Sequence, residues 1–198
     1  EPTAGTGSLA VHAANAGAKI QANELDPRRA EFLKEQFGAE NVTVENADHI
    51  DAILHAKGVR PSVVVMNPPF SQTAGRMGDK KVLMTGANHI EAALKTLQPN
   101  GRLVAIVGRG MDSSSATFKN WFKKIGQTYN LRANVAVSGD VYKKYGTHFG
   151  TRVLVFDNTG TTTEANVIKG EVSSIPELMA TLEGVRNDRR KGQSDRKS

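Results

Sequence analysis

The residues best suited to do chemistry are Asn67-Pro68-Pro69-Phe70, which close the apolar run Val63-Val64-Val65-Met66. A carboxamide, two residues without a backbone N–H and an aromatic ring make an unusual strand exit. They match the needs of an exocyclic amine on a flat base, whose lone pair is delocalised into the ring. A site that accepts both amine hydrogens draws the nitrogen toward sp³ and restores that lone pair. The Asn67 side-chain oxygen and the Pro68 carbonyl are suitable acceptors, and neither is a base at neutral pH. The prolines stiffen the loop and add no competing donor. Phe70 offers a face for a base flipped out of its stack, a contact worth about 1–3 kcal/mol. The plainer reading is a Pro-Pro turn with Phe70 in the core.

A second group opens the chain. Ala4-Gly5-Thr6-Gly7-Ser8-Leu9-Ala10 satisfies the pattern G-x-G-x-x-A and leads into an Ala-rich helical stretch. Glycines allow a tight turn and a close backbone approach to a ligand, and a helix N-terminus offers N–H groups. Glu24, 17 residues after Gly7, ends the next strand-like run, where a carboxylate would grip a ribose diol. Asp26 reads as the N-cap of a helix with Pro27 at its first position. Asp48 ends the following strand and has two readings: an acceptor for an adenine amine, or the cap of the helix after it.

These residues need elements to position them. The chain alternates strand-like runs (20–25, 41–47, 62–66, 101–107) with helical stretches (8–16, 27–37, 49–56, 82–97, 113–125), which predicts an α/β fold with a largely parallel sheet. Strand ends of such a sheet face one crevice, where ligands bind. Trp121 and Phe122 are expected to pack on the sheet. Residues 131–137 and 151–156 follow with no helix between them and predict an antiparallel hairpin closing the sheet edge. Signals over 158–174 are weak, and 175–185 reads as a last helix. A doubly wound sheet has a strand before its first Gly-rich turn. The chain begins at the turn, so the fold is expected to lack its first strand.

Composition limits the partners. With 198 residues, 38% of them apolar, one sizeable domain is expected. No apolar run approaches the roughly 20 residues that span a bilayer. The absence of cysteine excludes disulfides and thiolate metal sites, and a cytoplasmic location fits. A net charge of +6 with a pI near 9.6 suits a phosphate-bearing partner. Arg189, Arg190, Lys191, Arg196 and Lys197 lie near the end against Asp188 and Asp195, and 188–198 reads as a basic disordered tail. It is either solvated or an arm for nucleic acid. Lys143, Lys144, Tyr145 and His148 in the hairpin loop are candidates for contacts to phosphates or a flanking base. Arg76, Lys80 and Lys81 follow Phe70 in a stretch that could close over a substrate. His12, His49, His55 and His89 show no metal-ligand spacing and read as structural.

Glu1-Pro2-Thr3-Ala4-Gly5-Thr6-Gly7, Glu24, Asp48 and Asn67-Pro68-Pro69-Phe70, in that order, resemble the motifs of S-adenosylmethionine-dependent amino-methyltransferases, above all the N6-adenine DNA methyltransferases. Tyr145-Gly146-Thr147 followed by Thr151-Arg152-Val153-Leu154-Val155 is similar to a segment of that group and of methyltransferase domains in large phage or plasmid helicase-like proteins. The resemblance implies a Rossmann-like methyltransferase domain over 1–157, with an extension over 158–187. It implies S-adenosyl-L-methionine as cofactor, held by Glu1 to Gly7, Glu24 and Asp48. Asn67, Pro68, Pro69 and Phe70 would hold the target base, and DNA would be the partner, within a larger polypeptide. An RNA base, a protein glutamine amide, a domain that binds without turnover and a nicotinamide-dependent oxidoreductase stay open as alternatives.

Overall fold

A computed structural model of the chain describes residues 1–69 and 84–194, with side chains undescribed for Tyr145 and for 189–194. Phe70, Arg76, Lys80 and Lys81 therefore lie outside the described residues. The chain divides into two compact units: Glu1–Val107 with Asp157–Thr159, and Gly108–Phe156 with the residues from Gly160 onward. The expected domain 1–157 takes in all but two residues of the first unit and much of the second.

In the first unit the alternation holds: α1 (Ala10–Asn15), β1 (Ala22–Asn23), α2 (Pro27–Phe37), β2 (Val42–Thr43), α3 (Ile50–Ala56), β3 (Val63–Met66), α4 (Thr85–Thr96) and β4 (Arg102–Gly108). β1 pairs parallel with β2, and β3 pairs parallel with β4 with Val63 opposite Arg102. The start of α2 forms as its sequence dictates. Asp26 accepts N–H bonds from Arg28 and Arg29, and Pro27 sets the first helical φ. Those two N–H groups and the neighbouring guanidiniums hold the Asp26 carboxyl below the usual carboxylate range. Ala30 and Leu33 turn inward at helical spacing and bury against Ala4, Ala22 and Val42. Full burial of a leucine contributes roughly 1.5–3 kcal/mol.

Arg102 and Asp157 lock β4 to the end of a later strand. Two hydrogen bonds of 2.6 and 2.7 Å join the guanidinium to the carboxylate, and both residues are buried. Among the described residues no strand joins the β1–β2 pair to the β3–β4 pair.

The second unit holds α5 (Lys119–Ile125), β5 (Asn130–Val137), β6 (Thr151–Asp157, to Phe156), β7 (Ile168–Val172), α6 (Ile175–Thr181) and α7 (Glu183–Ser194). The end of β5 lies beside the start of β6, with Gly139 against His148 and Gly150. The start of β5 lies beside the chain leaving β6, where Thr162 bonds Tyr129 and Leu131. The two strands thus run in opposite directions, as expected for the hairpin. Trp121 meets the Phe156 ring edge-on at 6.2 Å, and Phe122 stacks on it at 6.4 Å.

Three expectations are corrected here. The hairpin does not form the outer edge, because β7 pairs parallel with the other side of β5. The helix expected from Ser113 begins only at Lys119, since Asp112 draws Ser114 and Ser115 into turns through its side chain and carbonyl. Residues 188–194 are helical rather than disordered: α7 is anchored by buried Val185 and by an ion pair from Asp188 to Arg132.

Candidate active site

The strand ends of the first unit converge on a crevice of about 540 Å³, lined by the turn Glu1 to Thr6, by Asn23, Glu24 and Leu25, by Glu45 to Ala47, and by Asn67, Pro69 and His89. That size suits a nucleoside-bearing ligand. Each wall is set by local chemistry. Ala4 donates to the Asn23 carbonyl, and Gly7 N–H closes a turn on the Ala4 carbonyl at 2.7 Å. Gly5 and Gly7 have φ of +57° and +81°, a region that costs an L side chain strain. Gly7 does not itself line the crevice and packs against α2. A Cβ there would stand 2.9 Å from Leu33 Cδ2, so this glycine lets the turn sit on α2.

Glu24 is buried at the floor and its carboxylate is already engaged. Oε2 accepts from Gly5 N–H at 2.8 Å, and Oε1 accepts from Asp26 N–H at 3.0 Å and faces Arg29 at 2.9 Å. Leu25, beside it, is 65% exposed and offers an apolar face to the crevice. Glu1 accepts from Ala10 N–H at 2.7 Å through Oε2. Burial pushes its carboxyl up to about 7, against the pull of its own amino group and of the Ala10 N–H.

Asn67 stands exposed at the end of β3 with Pro68 buried behind it and Pro69 on the crevice wall. Asp48 does not itself line the crevice. It does not cap α3 either: Asn46 caps the single turn that precedes it, accepting from Asp48 N–H at 3.0 Å. The Asp48 carboxylate faces His89 on α4, at 3.4 Å. Burial lowers the His89 pKa below its ordinary value, only partly countered by Asp48, so the imidazole is neutral at pH 7. Lys143, Lys144, Tyr145 and His148 belong to the second unit. Lys143 pairs with Asp140, and Lys144 and His148 are exposed.

Two crevice-lining positions are not among the site residues expected from the sequence. Asn23 is buried at the end of β1 and makes four hydrogen bonds: its amide donates to the Pro2 and Glu45 carbonyls, and its oxygen accepts from Thr43 Oγ1 and Glu45 N–H. A poor strand former ending a strand was the available signal. His89, read as structural, lines the crevice, and nothing local in its sequence marks it.

The model of the methyltransferase small domain family matches residues 3–133. The chain belongs to that family. Comparison with curated proteins gave no match. Solved structures place the chain among Rossmann-like folds. It is similar to a protein assigned as the modification subunit of a type I restriction enzyme from Vibrio vulnificus YJ016, at 20% identity and TM-score 0.60, over 81% of this chain and 40% of that one. It is also similar to a protein assigned as a class I S-adenosylmethionine-dependent methyltransferase from Listeria monocytogenes, at 13% identity and TM-score 0.62, over 95% of this chain and 62% of that one. A third is assigned as a methyltransferase from Streptococcus mutans and was solved with SAH: 16% identity, TM-score 0.52, over 79% of this chain and 85% of that one. The chain thus spans two-fifths of the length of the Vibrio subunit.

The cofactor is S-adenosyl-L-methionine, and the crevice residues fit it. Thr3 Oγ1, Asp48 Oδ1 and His89 Nδ1 are buried at or beside the crevice without a hydrogen-bond partner among the described residues. Buried polar atoms left unpaired are costly, and a polar ligand relieves them. Glu24, Leu25 and the glycine turn supply the carboxylate, apolar face and close backbone that a nucleoside requires.

Proposed function

We propose that this methyltransferase acts on the exocyclic N6 amine of adenine in DNA. The observation that carries the reading is Asn67, held open to solvent by buried Pro68 at the mouth of the crevice that also contains Glu24 and the glycine turn. S-adenosyl-L-methionine, when bound, supplies an electrophilic methyl group. The chain's part is positioning and polarisation. The Asn67 carboxamide oxygen and the Pro68 carbonyl accept the two amine hydrogens and return electron density to the nitrogen. Neither acceptor is a strong base, so the amine keeps both protons until the transfer. Phe70 supplies the stacking face for the base. Glu24 orients the ribose end of the cofactor, the turn Glu1 to Gly7 receives its methionine end, and Asp48 with His89 receives its adenine amine.

A DNA acceptor is favoured by the likeness to the Vibrio modification subunit of a restriction enzyme and by the basic balance of the chain. Lys143, Lys144, Tyr145 and His148 are the groups we assign to the DNA backbone. Incubation with methyl-labelled S-adenosylmethionine and, separately, DNA, RNA and protein tests the reading. The expected result is label on adenine N6 of DNA that is lost in Asn67→Ala. Label on an RNA base or on a glutamine amide instead would overturn it.

A further inference from the structure

One side of α4 meets both ends of the crevice. Gly86, in its first turn, sits against the prolines that follow Asn67. A Cβ there would lie 3.6 Å from the Pro69 carbonyl oxygen and 3.8 Å from Pro68 Cγ. His89 comes three residues later, so it is a neighbour of Gly86 on the helix surface. Its Nε2 is 3.4 Å from Asp48 Oδ1, and it is buried on the crevice wall to which Asn67 and Pro69 also belong. A single turn of helix thus joins the proline pair to Asp48.

The body of α4 is fixed by packing: Ile90 and Leu94 are fully buried, and Ala92 packs with Ile50 and Leu54 of α3. Its first turn is held less firmly. Met84 stands at the N-cap and has no oxygen with which to cap it, and Asn88 N–H closes the turn on the Met84 carbonyl at 2.9 Å. The polar end of that turn is also incomplete. Asp48 Oδ1 and His89 Nδ1 are buried without a hydrogen-bond partner among the described residues. A neutral imidazole has one N–H. Carried on Nε2 it faces Asp48, and Nδ1 is then a buried acceptor. A ligand N–H at this place relieves a costly vacancy, and the gain requires His89 to be held in one position.

We propose that His89 is a positioning residue for the acceptor site. Occupation of the cofactor end of the crevice fixes His89 beside Asp48, and the first turn of α4 passes that order through Gly86 to Pro68, Pro69 and the Asn67 carboxamide. This role rests on the assignment of Asn67 to the acceptor. Cofactor and acceptor then bind with positive coupling, each tightening the other by the same factor. The coupling runs through packed atoms over less than one helical turn, with no rearrangement of the body of α4.

The test is NMR on the chain with and without saturating S-adenosylhomocysteine, and it needs no acceptor, so its outcome is separate from whether the acceptor is DNA. In wild type the ligand should slow amide exchange at Asn88 about fivefold or more and shift the Asn67 side-chain amide signals. His89→Leu should lose both effects, and His89→Gln, which keeps a donor for Asp48 and an acceptor for the ligand, should retain both. Gly86→Val, at a half-buried position, should keep the slowing at Asn88 and lose the shift at Asn67, because the added methyl groups part the helix from the prolines. Absence of slowing at Asn88 in wild type would overturn the proposal. So would an Asn67 shift that persists undiminished in His89→Leu or in Gly86→Val, since the ligand would then act on Asn67 directly.

Discussion

His89 Nε2 stands 3.4 Å from Asp48 Oδ1, while that oxygen and His89 Nδ1 both lack a hydrogen-bond partner among the described residues. An imidazole and a carboxylate so placed are left ready for a third polar group, and they link α4 to the end of the second strand's wall. Burial holds His89 below its ordinary pKa of 6.5. The unfolded chain therefore takes up the proton first as the pH falls. The stability contributed by the neutral imidazole is full above about pH 6.5 and declines as the pH drops toward the folded-state value. Chemical denaturation of wild type and His89→Gln between pH 7 and 5 checks this: the variant should lose less stability on acidification. Equal losses would exclude His89 as the source.

Glu24→Gln should weaken S-adenosylmethionine binding by roughly 10- to 100-fold, because hydrogen bonds to a charged group contribute about 1.5–3 kcal/mol. Titration calorimetry reads this directly. Unchanged affinity would leave Glu24 as a brace for the Gly5 turn alone.

Asn67→Ala should lower kcat by about 10²- to 10³-fold, the range typical for loss of one preorganised hydrogen-bonding group that acts on the reacting atoms. Affinity for S-adenosylmethionine should hardly change if Asn67 serves the acceptor, as proposed. The position is exposed, so the fold should persist. Equal weakening of cofactor binding would move Asn67 out of its assigned role.

Asp157→Ala should destabilise the first unit by about 3–5 kcal/mol, since it removes the carboxylate paired with buried Arg102. The double change Arg102→Met with Asp157→Leu should recover most of that loss. Urea denaturation of the three variants distinguishes an ion pair that matters through its charge from one that matters through its packing.

The parts of this fold that were legible in the sequence are those with local causes. α2 announces its start through Asp26-Pro27 and its end through Gly38. β3 reads as an unbroken apolar run, and Asn67-Pro68-Pro69 stands out at its end, where Asn67 and Pro69 line the crevice. β7 was not legible: Ile168-Lys169-Gly170-Glu171-Val172 carries two charges and a glycine, and only the edge of β5 makes it a strand. β1 and β2 are two residues each, far shorter than the runs that predicted them. His89 acquires its place in the crevice from tertiary packing of α4, and no spacing along the chain encodes that.

The four hydrogen bonds of Asn23 have a consequence for how the crevice opens. β1 and β2 are too short to persist alone, and Asn23 ties them to Pro2 of the turn and to Glu45 beyond β2. Turn, strand ends and wall should therefore come apart as one cooperative unit rather than fray in sequence. A ligand that touches only the turn then steadies Thr43 and Glu45 as well, and a loosened Asn23 would weaken binding in the crevice through the turn it holds.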